Sequence, residues 1–508
     1  MSANEELLTE SAVELRRRIG TKEISPVELL EACIARIERL NPAVNAVTAV
    51  CYDRARDEAK AAEKAALRGE PLGLLHGLPT GIKDLDDTGG LLTTYGSPLY
   101  RDYVPEHDGA MVARVRAAGA IVVGKTNVPE FGAGANSRNF VWGATGNPFD
   151  PMLNAGGSSG GSAVALATSM LPLCTGSDTG GSLRIPAAKC GVVGFRPSPG
   201  LVPVERRGLG WTPISVVGPM GRTVADTCLL MAAQAAMDDC DPLAYPVDPL
   251  TFAVPAPCDL GSLRVAYTED FGVSPVDKPI RKIFQERIAA MRHLFRSCDA
   301  LDIDFLGDAD DAFDVIRAMN YAARYREAYE KDPATLGPNV RANYELAAGM
   351  SLADVASAHT DQTRMFRRFQ QLFRDYDIVL APTTPVSPFP WSQLYLAEMD
   401  GKPLRNYYHW LSLTYVVTLM TNPANSIPCG VDHQGMPFGL QVVGRFRADR
   451  EVLAVSHAME QAFAGVPALR RPVPDLTRLT QPTPALKSIV THPPKAGVAM
   501  AACPMQPA

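Results

Sequence analysis

The sequence predicts a single large α/β domain. Three observations carry this expectation: amphipathic helical stretches at both ends of the chain, a glycine-dense middle from Gly73 to Gly210 where short apolar runs alternate with turns, and no internal repeat. A chain of 508 residues can bury an ample core without metals or disulfides to staple it. Hydrophobic residues at 46% and charged residues at 20% fit an ordinary globular protein. The net charge of −6 leaves no footprint for nucleic acid and suits a neutral small-molecule substrate.

Residues 5 to about 40 read as two amphipathic helices. The break is Gly20 to Pro26, where Ser25 supplies an N-cap and Pro26 the first helical position. Residues 52 to 68, rich in Ala, Lys and Glu, predict a third helix. Gly119 to Gly124 and Leu171 to Gly176 read as strands, and the small residues Ala163 to Met170 as a helix just before the second of them. From about 276 to 375 the pattern is helical again, with a stretch at Ile280 to Phe295 and others through Phe373. Asp377 to Leu380, Ser426 to Cys429 and Gly439 to Val443 predict buried strands, and Asp449 to Phe463 a closing helix. Beyond Pro467 prolines recur and aromatics are few. The expected division is therefore a domain over 1–467 and a wrapped or disordered Pro-rich tail over 468–508.

Met1 to Arg18 has no apolar signal-like core, and the longest apolar stretches, such as Ser162 to Cys174, fall short of a membrane span, so a cytoplasmic protein is expected. The ten cysteines are scattered without a C-x-x-C pair and read as free thiols. The eight histidines show no paired ligand spacing, so no metal is expected.

Chemistry concentrates in two loops. Gly156-Gly157-Ser158-Ser159-Gly160-Gly161-Ser162 precedes the small-residue helix, and Gly176-Ser177-Asp178-Thr179-Gly180-Gly181-Ser182-Leu183-Arg184 follows it. Both sit between apolar segments, which linkers do not. A serine after two glycines lies where backbone N–H groups approach a substrate oxygen unobstructed by Cβ atoms, and successive N–H groups at Thr179 to Ser182 can form an anion nest. No histidine is near in sequence to activate such a serine. A lysine whose pKa is lowered by burial can do so instead. Lys83 ends a short apolar strand pattern, Gly77 to Asp84, although taken alone it reads more readily as a structural lysine.

Together with Cys190 to Pro197, these loops resemble the signature block of the amidase signature family. Gly77 to Asp84 resembles the family's lysine strand, and Gly124 to Gly132 the segment that precedes the signature. Ala381 to Pro385 and Ser426 to Gly430 resemble its C-terminal elements, so the likeness runs from about residue 5 to 465. It implies a mixed central β-sheet flanked by helices on both faces. It also implies that Lys83 is the base, Ser158 a proton relay on a non-proline cis peptide, and Ser182 the nucleophile. The oxyanion hole would be the N–H groups of Thr179, Gly180, Gly181 and Ser182, with Phe131 and Gly132 against the substrate. No cofactor is implied. Phe195-Arg196-Pro197 departs from the commoner Leu-Lys-Pro ending without touching the chemistry, and Asp178 and Arg184 are expected to brace the loop.

Two literal motif matches are rejected. Gly119 to Thr126 fits a P-loop pattern, but Ile121-Val122-Val123 is a β-branched strand where a phosphate-binding loop is required. Gly157 to Gly161 fits G-x-S-x-G around Ser159, but no strand precedes it, and His293, His359 and His433 lie in no persuasive context for a triad. Ser159 and Ser162 are expected to cap and line the following helix, and His76 and His107 to be ordinary satisfied histidines.

The aromatic segments between Tyr321 and Tyr415 read mainly as packing. In the family the corresponding segments help wall the pocket, so the expected substrate is a hydrophobic or aryl amide, anilide or carbamate. Expected partners are that small amide, with neither nucleic acid nor membrane, and a homodimer as an admissible assembly. The competing functions are the glutaminase subunit of a tRNA-dependent amidotransferase, an esterase, and a non-catalytic binding protein.

Overall fold

The computed structural model describes residues 3–495. Residues 496–508 of the expected tail, with Cys503, and the first two residues lie outside the described residues. Eleven strands form the main sheet: β1 (Val47–Val50), β2 (Pro79–Lys83), β3 (Ile121–Thr126), β4 (Leu173–Asp178), β5 (Val193–Arg196), β6 (Val216–Gly221), β7 (Arg264–Tyr267), β8 (Ser297–Ala300), β9 (Ile378–Pro382), β10 (Ala424–Val431) and β11 (Pro437–Val443). Their spatial order is β1-β3-β2-β4-β6-β5-β10-β11-β9-β7-β8. The sheet is mixed. β2 runs parallel to β3 and β4, and β7 to β8 and β9, whereas β6 is antiparallel to both of its neighbours.

Both sheet faces are covered, which explains why the strands read as continuous apolar runs. Side chains alternate across a strand. Ile121 and Val123 enter one core with Leu30, Ile34 and Ile37, while Val122 enters the other with Leu15, Ile19 and Leu230. Helix α1 (Ala12–Gly20) packs in the second core, whereas the first is closed by helices α2 (Pro26–Val44), α3 (Tyr52–Arg68) and α4 (Gly160–Ala167). Further along come α5 (Arg184–Cys190), α6 (Ala309–Lys331) and α7 (Ser412–Leu419).

Local signals explain most boundaries. Ser25 accepts a hydrogen bond from the Val27 N–H with Pro26 behind it, and α2 starts there. Ser11 likewise accepts from the Glu14 N–H, so the first long helix begins at Ala12, and Ala3–Leu7 is a separate short turn rather than part of it. The helix expected from Ala163 begins at Gly160, and the chain leaves it near Ser169, whose φ is 53°. Gly161 permits that early start. A Cβ there would lie 2.2 Å from the Asn127 nitrogen and 2.5 Å from the Ala46 oxygen. The P-loop match is a strand, as expected: Lys125 lies inside β3, and its Nζ donates to the Asp86 carbonyl and to Thr88 Oγ1.

The tail over 468–495 lies along the body. Leu469, Leu479 and Leu486 are buried, Arg471 donates to the Gly191 carbonyl, and the Thr483 N–H donates to that of Pro42. No helix among the described residues is long and apolar enough to cross a membrane.

Candidate active site

Lys83 is the last residue of β2, between β3 and β4 and fully buried. Its backbone N–H donates to Thr175 Oγ1 on β4, which fixes the end of the strand. Its Nζ reaches Ser158 Oγ at 2.8 Å, Ser159 Oγ at 2.7 Å and Ser177 Oγ at 2.9 Å. No carboxylate lies within ion-pair distance of it among the described residues. Burial strips water from the ammonium and brings Lys83 down to about 7, against the opposing pull of the Asp86 and Asp178 charges.

Ser158 follows a cis peptide bond from Gly157, and Gly160 then opens α4. Ser182 leads into α5 from the end of β4, and its carbonyl accepts the Ser159 N–H at 3.3 Å, which joins the two loops. From residue 161 to 200 every residue is buried except Ser177, Thr179 and Ser182. All three line one cavity of about 180 Å³ with Ser158, Phe131 and Gly132. Phe131 and Gly132 both take positive φ, 49° and 72°, and a Cβ on Gly132 would stand 3.3 Å from Ser158 Oγ. Gly132 therefore lets the wall approach the serine closely.

A buried ionic frame holds the Ser182 loop. Asp178 accepts from the Gly181 N–H at 2.8 Å, the Leu183 N–H at 3.2 Å, Arg184 at 2.9 and 3.0 Å, and Arg196 Nη1 at 3.1 Å. Burial works to raise Asp178, but the Arg184 and Arg196 guanidiniums hold it below the usual carboxylate range. Arg184 also reaches Thr414 O, Thr418 Oγ1 and Gln441 Oε1, tying the loop to α7 and β11. Thr414 Oγ1 in turn donates to the Gly180 carbonyl at 2.6 Å. Two guanidiniums against one carboxylate leave an excess positive charge beneath the loop. Of the four N–H groups at Thr179 to Ser182, that of Gly181 is engaged by Asp178, while those of Thr179, Gly180 and Ser182 have no acceptor among the described residues.

Several expectations need correction or supplement. Ser159 does not cap α4 with its side chain; its Oγ is drawn to Lys83 Nζ instead. Ser162 lines the helix, donating to the Thr175 carbonyl at 2.8 Å. Ser177, the third hydroxyl on Lys83, is not singled out by sequence reasoning, although it sits inside the second glycine–serine loop. Of the aromatic residues between Tyr321 and Tyr415, only Tyr321 lines the cavity; Tyr415, for example, stacks on Phe313 at 4.2 Å. No histidine is among the residues lining it. No group of three or more His, Cys, Asp or Glu side chains able to hold a metal ion occurs among the described residues.

The comparisons with known proteins agree with this architecture. The model of the Amidase family matches residues 28–453, and the chain belongs to that family. It is 33% identical over 457 residues to an acylamidase of Rhodococcus erythropolis, covering 89% of this chain and 94% of the relative. It is 34% identical over 475 residues to a glutamyl-tRNA(Gln) amidotransferase subunit of Acaryochloris marina, covering 88% and 97%. Among solved structures, a bacterial aryl acylamidase of the amidase signature family superposes with a TM-score of 0.83 at 27% identity, covering 94% of this chain and 98% of that one. The protein is thus an amidase-family hydrolase acting on amide carbon–nitrogen bonds.

Proposed function

We propose that the protein hydrolyses a small amide through an acyl-enzyme on Ser182, with Ser158 as relay and Lys83 as base. The observation that carries this reading is the 2.8 Å contact between Lys83 Nζ and Ser158 Oγ, buried behind the cavity that Ser158 and Ser182 share. Neutral Lys83 takes the Ser158 proton as Ser158 takes that of Ser182. The Ser182 oxygen attacks the carbonyl carbon, and the oxyanion is held by the N–H groups of Thr179, Gly180 and Ser182 above the positive excess of the Asp178 frame. The protons return along the same path to the leaving amine. Water then adds to the acyl-enzyme and releases the acid. Gly181 contributes by keeping its N–H on Asp178.

Labelling by a fluorophosphonate tests the assignment: Ser182→Ala should abolish it and Lys83→Ala should slow it greatly. An unchanged rate in Lys83→Ala near neutral pH would remove Lys83 from the mechanism.

The substrate we favour is an aryl or otherwise apolar amide. Leu85, Met111, Val112, Phe131, Val217 and Tyr321 supply apolar wall, and the acylamidase relatives support the same class. Anilide hydrolysis should therefore exceed acetamide hydrolysis, and the reverse order would sink the assignment. The same acyl-enzyme also admits esters. A second reading, the glutaminase subunit of a tRNA-dependent amidotransferase, is supported by the amidotransferase relative. Co-purification of stable partner subunits, with ammonia released from glutamine, would establish it instead.

A further inference from the structure

We infer that the substrate is an amide carrying a carboxylate, which Arg317 and Arg324 of α6 hold. The inference rests on the amidohydrolase reading of the cavity. Arg317, Tyr321 and Arg324 are spaced four and three residues apart, so they form one helix face, and all three line the cavity.

Arg317 is only 5% exposed. Its Nε donates to Asn343 Oδ1 at 3.1 Å, and its Nη2 donates to the hydroxyls of Tyr321 at 3.2 Å and Tyr407 at 2.8 Å. The guanidinium also lies 4.9–5.9 Å from the ring centres of Phe313, Tyr321, Tyr407 and Tyr408. Every one of these partners is neutral. Nη1 has no acceptor among the described residues and is not sealed from the cavity. Arg324, two turns onward at the rim, forms no ion pair among the described residues and lies 5.6 Å from the Tyr325 ring.

Two of the three acids that line the same cavity are occupied elsewhere. Asp87 is paired with Arg206 and accepts from Tyr95 and Tyr103. Glu205 accepts from the Ala110 N–H at 3.1 Å. Asp86 forms no ion pair among the described residues; burial pushes it up to about 6, against the charges of Lys125, Lys83 and, most weakly, Arg324. A buried guanidinium without a counter-charge is costly, and aromatic faces offset that only in part. A substrate carboxylate completes it by accepting from Nη1, the one nitrogen left without a partner, while Asn343 and the two hydroxyls already fix the orientation of the guanidinium. Arg317 and Arg324 line the same cavity as Ser158 and Ser182, so one small molecule can present its carboxylate to the arginines and its amide to the serines.

Two pairs of substrates test this, one with the carboxylate on the amine side (para-acetamidobenzoate against neutral para-acetamidoacetophenone) and one with it on the acyl side (succinanilate against pentananilide). In at least one pair the anionic member should have a kcat/KM roughly tenfold or more above its neutral partner. That preference should collapse toward parity in Arg317→Gln and in Arg324→Gln. Wild-type protein whose Ser182 is labelled by fluorophosphonate but which shows no preference in either pair overturns this inference alone. Protein that is neither labelled nor active overturns the catalytic reading and this inference with it. Should Arg317→Gln fail to fold, protection of Ser182 from labelling by para-aminobenzoate and succinate is compared between wild type and Arg324→Gln. Weaker protection in the variant supports the arginine face, and equal protection refutes it.

Discussion

Lys83 works as a base only when neutral, so the acylation rate of Ser182 should follow its deprotonation. An ordinary lysine is neutral in only about one molecule in several thousand at pH 7, whereas a group titrating near 7 is neutral in about half. Across pH 6 to 8 the neutral fraction then climbs about tenfold, from roughly a tenth to roughly nine-tenths. The sign is fixed by the chemistry: slow labelling in acid, a rise through neutrality and a plateau above it. Lys83→Met keeps the bulk of the side chain but removes the base, and should lower the plateau by about 10²–10⁴-fold with a flat profile. Asp86 supplies a further handle, because its charge raises Lys83. Asp86→Asn should therefore move the midpoint to lower pH. The assay is the second-order rate of fluorophosphonate labelling of Ser182 at constant ionic strength from pH 5 to 9. A wild-type rate that is level between pH 6 and 8, or an Asp86→Asn midpoint that moves upward, refutes the reasoning.

Other positions make sharp predictions about stability. Asp178→Ala strands two buried guanidiniums and two loop N–H groups, and should cost about 3–5 kcal/mol in denaturant unfolding, with labelling of Ser182 lost in the surviving folded fraction. Gly161→Ala forces a methyl against the backbone of Asn127 and Ala46, and should lower stability by about 1–3 kcal/mol or more; an unchanged melting temperature would contradict so close an approach of α4 to β3. Lys189 is buried with Asn154 Oδ1 at 3.2 Å and the rings of Phe389 and Trp410 beneath its Nζ. Burial lowers it to about 7, so the folded state releases a proton that the unfolded chain keeps, and stability rises with pH above 7. Lys189→Met removes that dependence, so its stability gain over wild type should be about 2–3 kcal/mol greater at pH 6 than at pH 9, checked by urea unfolding at both.

Much of this molecule is legible along the chain because its signals are local. Ser25-Pro26 starts α2 through a contact between near neighbours, and the runs around Ile121 and Leu173 are apolar on both faces because helices cover both. The two glycine–serine loops and Lys83 are identifiable through their resemblance to a family, not through any property of a lone lysine. What only the tertiary structure decided are relations between residues far apart in sequence. Lys83 meets Ser158 across 75 residues and Ser177 across 94, and the burial that makes it a usable base comes from strands on either side of it. Local sequence makes Ser159 a helix cap, but proximity to that ammonium takes its hydroxyl instead. The charge of the pocket was equally hidden. Arg317 and Arg324 sit in a stretch that the sequence shows only as helical, and only the fold turns that face into the cavity, where neither guanidinium has an ion pair among the described residues. Local sequence sets backbone conformation through short-range contacts, whereas the charge state and partners of a side chain are set by whatever the fold packs around it.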